Sequence, residues 1–173
     1  KKSPKECTRG IDDFVDEQTR VISGIYEGVK IIDVYIPNGQ SVGSEKFEYK
    51  MRWLTNLHRY LEASIKRNER IVILGDFNIA PQDIDVHDPI EWKGKVLCSD
   101  EEREWLYKIE KIGFVDSFRL FNQDEGLFSW WDYRMASYRR KMGMRIDLIL
   151  ISEALRKNCI KSYIDETPRA LEK

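Results

Sequence analysis

Cysteine and histidine are scarce, with three and two residues among 173. Cys7, Cys98 and Cys159 are widely spaced and form no CxxC pair, which argues against a disulfide framework or a thiolate zinc site. A reducing, cytosolic setting is the simplest reading. His58 and His87 sit in unrelated contexts and make no ligand pair, and no Ser-His or Cys-His arrangement for covalent catalysis is legible. No apolar run approaches the roughly 18 residues of a membrane span. The chain carries no signal-peptide pattern, no Gly-rich phosphate fingerprint, no repeat and no low-complexity segment. The net charge of −1 supplies no global basic field. What remains is a polar but foldable chain, 42% hydrophobic and 34% charged. It is long enough for a single domain with its own core.

The strongest local signal is Arg70-Ile71-Val72-Ile73-Leu74-Gly75-Asp76-Phe77-Asn78. A short β-branched run closed by Gly reads as a buried strand, and the polar residues after it sit where the strand leaves the sheet. Asp76 and Asn78 are turn formers in one reading and site residues in the other. Upstream, residues 19–26 and 29–36 form two β-rich runs around Glu27-Gly28, an antiparallel hairpin. In its second strand Ile32, Val34 and Ile36 share one face, while Ile31, Asp33 and Tyr35 share the other. Pro37-Asn38-Gly39 ends that strand in a loop. Met51, Leu54, Leu57, Leu61 and Ile65 predict a helix over 45–68 with Ser44 as N-cap. Residues 76–95 read as a long polar loop in which Asp83, Asp85 and Asp88 serve turns and caps. Ser99 and Glu102 form a capping-box pattern that opens a helix through Ile112. A strand over 127–131, a near-continuous strand over 145–151 and a short helix at 152–156 complete the pattern. Residues 1–16 form a loop or edge strand. The alternation lacks a regular βαβ rhythm, so a layered α/β sandwich is expected.

Two features suggest chemistry. Asp147 lies inside an apolar strand, where a carboxylate costs several kcal/mol unless paired or metal-bound. A salt bridge to Arg145 or Arg134 would account for it equally. Arg134, Arg139, Arg140, Lys141 and Arg145 cluster among Trp130, Trp131, Tyr133 and Tyr138. Basic and aromatic residues together suit a nucleic-acid-facing loop, although charge runs are commonly just solvated. Carboxylates with a hard divalent ion, an amide and a phenol would support hydrolysis.

Gly75-Asp76-Phe77-Asn78, with Ile79-Ala80-Pro81 and Asp85 behind it, resembles the GD-x-N segment of the exonuclease III family, within the endonuclease/exonuclease/phosphatase superfamily. Tyr35-Ile36-Pro37-Asn38-Gly39 is similar to that family's Tyr-x-Pro-Asn loop. Residues 128–134 and 143–147 are similar to its FSW-x-DYR and G-x-R-x-D motifs, in matching order across nearly the whole chain. The resemblance implies a four-layer α/β sandwich and a magnesium- or manganese-dependent DNA repair nuclease acting at abasic sites and 3′ ends. Asp76 would activate the attacking water and help ligate the metal. Asn78 would hydrogen-bond the scissile phosphate, with Asn38 in the neighbouring loop also meeting the substrate. Tyr35 would contact that phosphate or assist the leaving group, and Asp147 would orient a catalytic histidine. Trp130, Met144 and Ile146 would wall a pocket for a base-less sugar. Arg134 and Arg145 would meet the duplex, and residues 139–141 its phosphates. A monomer without membrane contact is expected.

The family's metal-ligating Glu belongs to strands that would precede Lys1, and its Ser-Asp-His segment would follow Lys173. Neither appears in the chain. The expectation is therefore an incomplete domain, a poor nuclease alone and unstable for lack of its opening strands. Two alternatives stay open: a catalytically silent DNA-binding module, and a phosphoesterase for small substrates.

Overall fold

Alternation along one strand sets up the architecture, as seen in a computed structural model that describes residues 2–134 and 136–168. Strands β1 (Lys5–Arg9), β2 (Val21–Tyr26) and β3 (Val29–Tyr35) form an antiparallel meander. In β3, Ile32 and Val34 are buried, while Ile31 and Tyr35 are exposed on the opposite face. The expected hairpin is thus present, with its turn at Glu27-Gly28.

Helix α1 (Glu45–Arg67) carries the chain back across the sheet, so that β4 (Ile71–Asp76) pairs with β3 in parallel. Ser44 caps α1 by accepting the Phe47 N–H. Glu45 and Glu48 in the first turn and Lys66 and Arg67 in the last complement the helix dipole. The buried stripe runs Phe47, Lys50, Leu54, Leu57, Leu61, Ser64. It is centred one residue away from the expected stripe, leaving Met51 and Ile65 at its margin. Leu54, Leu57 and Leu61 pack on Ile32, Ile71, Ile73, Leu148 and Leu150 to make the main core. Truncating any of these leucines to Ala would cost about 2–5 kcal/mol.

A short helix α2 (Pro89–Trp92) and then α3 (Asp100–Lys111) follow, the latter opened by the expected capping box of Ser99 and Glu102. The loop between β4 and α3 is less polar than expected. Phe77, Ile79 and Ala80 are fully buried in it, and residues 83–85 form a 3-10 turn. Strand β5 (Phe114–Asp116) is followed by a two-strand ribbon of β6 (Trp130–Trp131) and β7 (Gly143–Met144). Strand β6 is shorter than the expected strand over 127–131, and β7 was not expected. The chain breaks at Arg145 and Ile146 before β8 (Asp147–Ser152) begins. The six-stranded mixed sheet has the order β1-β2-β3-β4-β8-β5, which makes the α/β class plain. Helices cover one face. The other carries exposed Ile22, Ile31, Tyr35 and Ile149. Among the described residues no helix is long and apolar enough to cross a membrane.

Candidate active site

Register places three of the expected residues in one row. Tyr35 is the partner of Asp76 across β3 and β4, and Asp76 is the partner of Asp147 across β4 and β8. Adjacent strands lie about 4.8 Å apart, and directly opposite residues project from the same face, here the face that the helices leave open. A carboxylate is thus flanked by a phenol on one side and a second carboxylate on the other. Gly75 makes this row possible. Its φ is +130°, and an added Cβ would fall 2.0 Å from the Val34 carbonyl oxygen.

Asp76 draws its hydrogen bonds from Asn78. The Asn78 backbone N–H donates to Oδ1 at 2.8 Å, and the Asn78 side-chain amide donates to Oδ2 at 3.1 Å. The same amide nitrogen also donates to the Ile36 carbonyl at 3.0 Å, while Asn38 donates to Asn78 Oδ1 at 3.1 Å. Asn78 is buried, and both hydrogens of its amide are engaged. Its first role in this structure is to brace Asp76, and Asn38, which is exposed, ends the chain of amides at the surface. Burial, with the Asp147 carboxylate acting in the same direction, pushes the Asp76 carboxyl up to about 6. The Asn78 hydrogen bonds and the Lys50 charge oppose that shift. Arg20 was not singled out from the sequence. Its guanidinium lies 4.8 Å from the centre of the Tyr35 ring and donates to the Tyr35 carbonyl, adding positive charge beside the row.

The FSW segment acts through backbone placement. Ser129 Oγ accepts the N–H groups of Ile146 and Asp147, and the Ser129 N–H donates to the Met144 carbonyl. These bonds fix the entry to β8 and with it Asp147. Gly143 lets the segment pack closely, since a Cβ there would lie 2.5 Å from Trp131 Nε1. Trp130 is half-buried at this edge. Arg134 and Tyr133 are exposed, the guanidinium 5.1 Å from the ring centre, and Arg139, Arg140 and Lys141 are exposed beyond them.

Three expected contacts need correction. Arg145 is 1% exposed and faces the interior, where Nε meets Asp85 at 2.6 Å and Nη2 meets Asp116 at 2.7 Å. It presents no charge to a substrate and is no partner for Asp147. Met144 and Ile146 are 1% and 2% exposed and pack with Ala80, Val86, Leu97 and Cys98 behind Trp130. They support that indole from within and present no wall of their own. Asp85 is more than a turn residue, because it also binds Arg119 at 2.5 Å. Asp88 does cap α2, as expected. The buried Lys50–Glu102 pair escaped the sequence reading. A lysine three residues after Phe47 and four before Leu54, on a stripe apolar but for Ser64, was the available signal.

A divalent ion fits this site in donor type and not in number. Asp76 and Asp147 are hard oxygen donors on one face. Among the described residues, however, no group of three His, Cys, Asp or Glu side chains is arranged to hold a metal.

Residues 6–169 match the Endonuclease/Exonuclease/phosphatase family. The chain is 36% identical to an exodeoxyribonuclease of Bacillus subtilis (strain 168), with 91% of the chain aligned to 62% of that protein. It superposes with a TM-score of 0.94 and 38% identity on the 3′ phosphatase NExo from Neisseria bound to product DNA hairpin, covering 99% of this chain and 67% of that one. An AP endonuclease from Archaeoglobus fulgidus gives a TM-score of 0.91 at 34% identity, covering 98% of this chain and 66% of that one. The chain thus spans about 62–67% of the length of these relatives. With the row of Tyr35, Asp76 and Asp147 and a match over nearly all its residues, the chain belongs to the endonuclease/exonuclease/phosphatase family.

Proposed function

We propose that the protein containing this chain is a DNA repair nuclease that hydrolyses phosphodiesters at abasic sites and 3′ ends with the help of magnesium or manganese. The single observation that carries this reading is the Tyr35–Asp76–Asp147 row, with an exposed basic and aromatic loop in the same chain. The relatives support it, being named as an exodeoxyribonuclease, a 3′ phosphatase bound to product DNA and an AP endonuclease.

In this reading Asp76, held by Asn78, accepts a proton from the attacking water. The water oxygen bonds to phosphorus, and the bond from phosphorus to the leaving oxygen breaks. Tyr35 stands beside the phosphate and donates to the leaving oxygen, while Asn38 binds a phosphate oxygen. Asp147 orients a catalytic histidine. Trp130 borders the place where the base-less sugar enters, with Met144 and Ile146 packed behind it. Arg134 meets the duplex, and residues 139–141 meet its phosphates. A bound magnesium ion would neutralise charge developing on the phosphate oxygens, with Asp76 as one of its ligands.

The chain is read as one part of a single four-layer domain, and the exposed apolar residues Ile22, Ile31 and Ile149 support a further layer over that face. The protein is read as a cytoplasmic monomer, which the free cysteines suit. A catalytically silent DNA-binding chain is the second reading, favoured by the lack of a three-ligand metal group among the described residues. Incubating the full-length protein and the 173-residue chain with a synthetic abasic duplex and magnesium tests both readings. Incision by the full-length protein and none by the chain is expected. Salt-dependent binding without incision by the full-length protein would favour the silent reading.

A further inference from the structure

Lys50 is fully buried, and its ammonium group has three protons and three acceptors. It donates to the Asn78 carbonyl at 2.7 Å, to the Asn38 carbonyl at 3.2 Å and to Glu102 Oε1 at 2.5 Å. Glu102, also fully buried, accepts the N–H groups of Leu97 and Ser99 and the Ser99 hydroxyl. One ion pair thus ties the loop after β3, the loop after β4 and the start of α3.

Stability is a poor reason for such a pair. Each buried ion carries a desolvation penalty, and well-packed apolar replacements are often as stable or more so. What an apolar pair cannot do is grip two backbone carbonyls at once. Both carbonyls belong to residues whose side chains make the amide relay, Asn38 to Asn78 to Asp76. Asn78 also has φ of +49°, in the left-handed region, which asparagine tolerates better than most residues. Lys50 holds the carbonyl of that residue, and Asp76 holds its N–H.

We propose that Lys50 and Glu102 are the positioning pair of this site, fixing the backbone of Asn38 and Asn78 so that their amides stay aligned on Asp76 and on a phosphate beside it. The proposal deepens the nuclease reading and rests on it for its substrate. Neither residue touches the substrate; both act through the two asparagines. The pair also explains why a lysine stands on the core stripe of α1 where a leucine would pack.

The test uses the full-length protein and the double variant Lys50→Met/Glu102→Gln, which removes both buried charges together while keeping one acceptor oxygen at position 102. Unfolding temperature, kcat and KM on abasic duplex with magnesium, and proton exchange of the Asn38 and Asn78 side-chain amides by NMR are measured. The expected result is a folded protein with KM within about threefold of wild type and kcat lower by about 100-fold, the scale of a misplacement of about 1 Å. A purely structural role would lower the unfolding temperature and leave kcat per folded molecule unchanged, and that result would overturn the proposal. If the double variant does not fold, Glu102→Gln alone decides. A fall in kcat of about 3–10-fold, under 1.4 kcal/mol, supports positioning, and an unchanged kcat overturns it. An inactive wild-type protein would sink the nuclease reading by itself. Amide exchange then decides the positioning: at least tenfold faster exchange in the variant supports it, and unchanged exchange overturns it.

Discussion

Asp76 and Asp85 stand nine residues apart on the two sides of one loop, and they have opposite surroundings. Asp85 is fully buried between two guanidinium groups, Arg119 at 2.5 Å and Arg145 at 2.6 Å, and Asp116 completes the knot on Arg145. Asp76 is only partly buried, takes its hydrogen bonds from the neutral amides of Asn78 and faces a second carboxylate in register. Asp85 is neutralised by fixed cations and has nothing left to offer a ligand. Asp76 keeps uncompensated negative charge at a sheet end. The carboxylate that stabilises the fold and the one proposed to react differ here by their counter-charges more than by their depth.

Removing the buried carboxylate is the most severe way to probe that contrast. Asp85→Ala leaves Arg145 and Arg119 buried with their main partner gone, and such a change costs about 3–5 kcal/mol. Thermal unfolding followed by circular dichroism should show a large drop or no cooperative transition; a melt within a few degrees of wild type would break the distinction. Next comes Asp76→Asn in the full-length protein, which keeps the shape and the bond to the Asn78 N–H. Turnover on abasic duplex should fall about 100- to 1000-fold, within the usual span of a general base, while duplex binding changes little. A mild loss would remove Asp76 from the role assigned to it.

The smallest effect sharpens the comparison through pH. Asp76 titrates near 6 in the folded chain against an ordinary 3.8. The folded state therefore holds this proton more tightly than the unfolded state does. That contribution to stability is complete below about pH 4 and is lost as pH rises through 6. At pH 8 the ionised group costs about 1–2 kcal/mol, allowing for solvent screening of a partly exposed site. Asp76→Asn should exceed wild type by that amount in urea unfolding at pH 8, with the gap closing at pH 4. A gap independent of pH would show that Asp76 is not held against its charge.

Much of the framework was legible because its signals are local. The Ser44 cap, the acidic first turn and the run of leucines delimit α1, and Glu27-Gly28 delimits the hairpin. Alternation along β3 correctly put Tyr35 opposite the buried Ile32 and Val34. The Arg145 expectation failed for an equally physical reason. A continuous strand over 145–151 would set Arg145 and Asp147 on one face, at a spacing of two. The strand is instead broken at Arg145 and Ile146, which turns the guanidinium inward to Asp85 and Asp116. Lys50 went unnoticed because a charged residue on an apolar stripe looks like a flaw until its partner is found, and Glu102 lies 52 positions away.

By itself, the sequence determined the hairpin, the two long helices and the strand that ends at Asp76, which strand face is apolar, and that two carboxylates sit at or within apolar strands. These follow from propensity, periodicity and capping over a few residues. Only the tertiary structure decided that Tyr35, Asp76 and Asp147 share one row, that Arg145 is interior, and that Lys50 holds both site loops. Strand register and buried charge pairing depend on contacts between residues 12 to 71 positions apart, whose energies no short window of sequence contains.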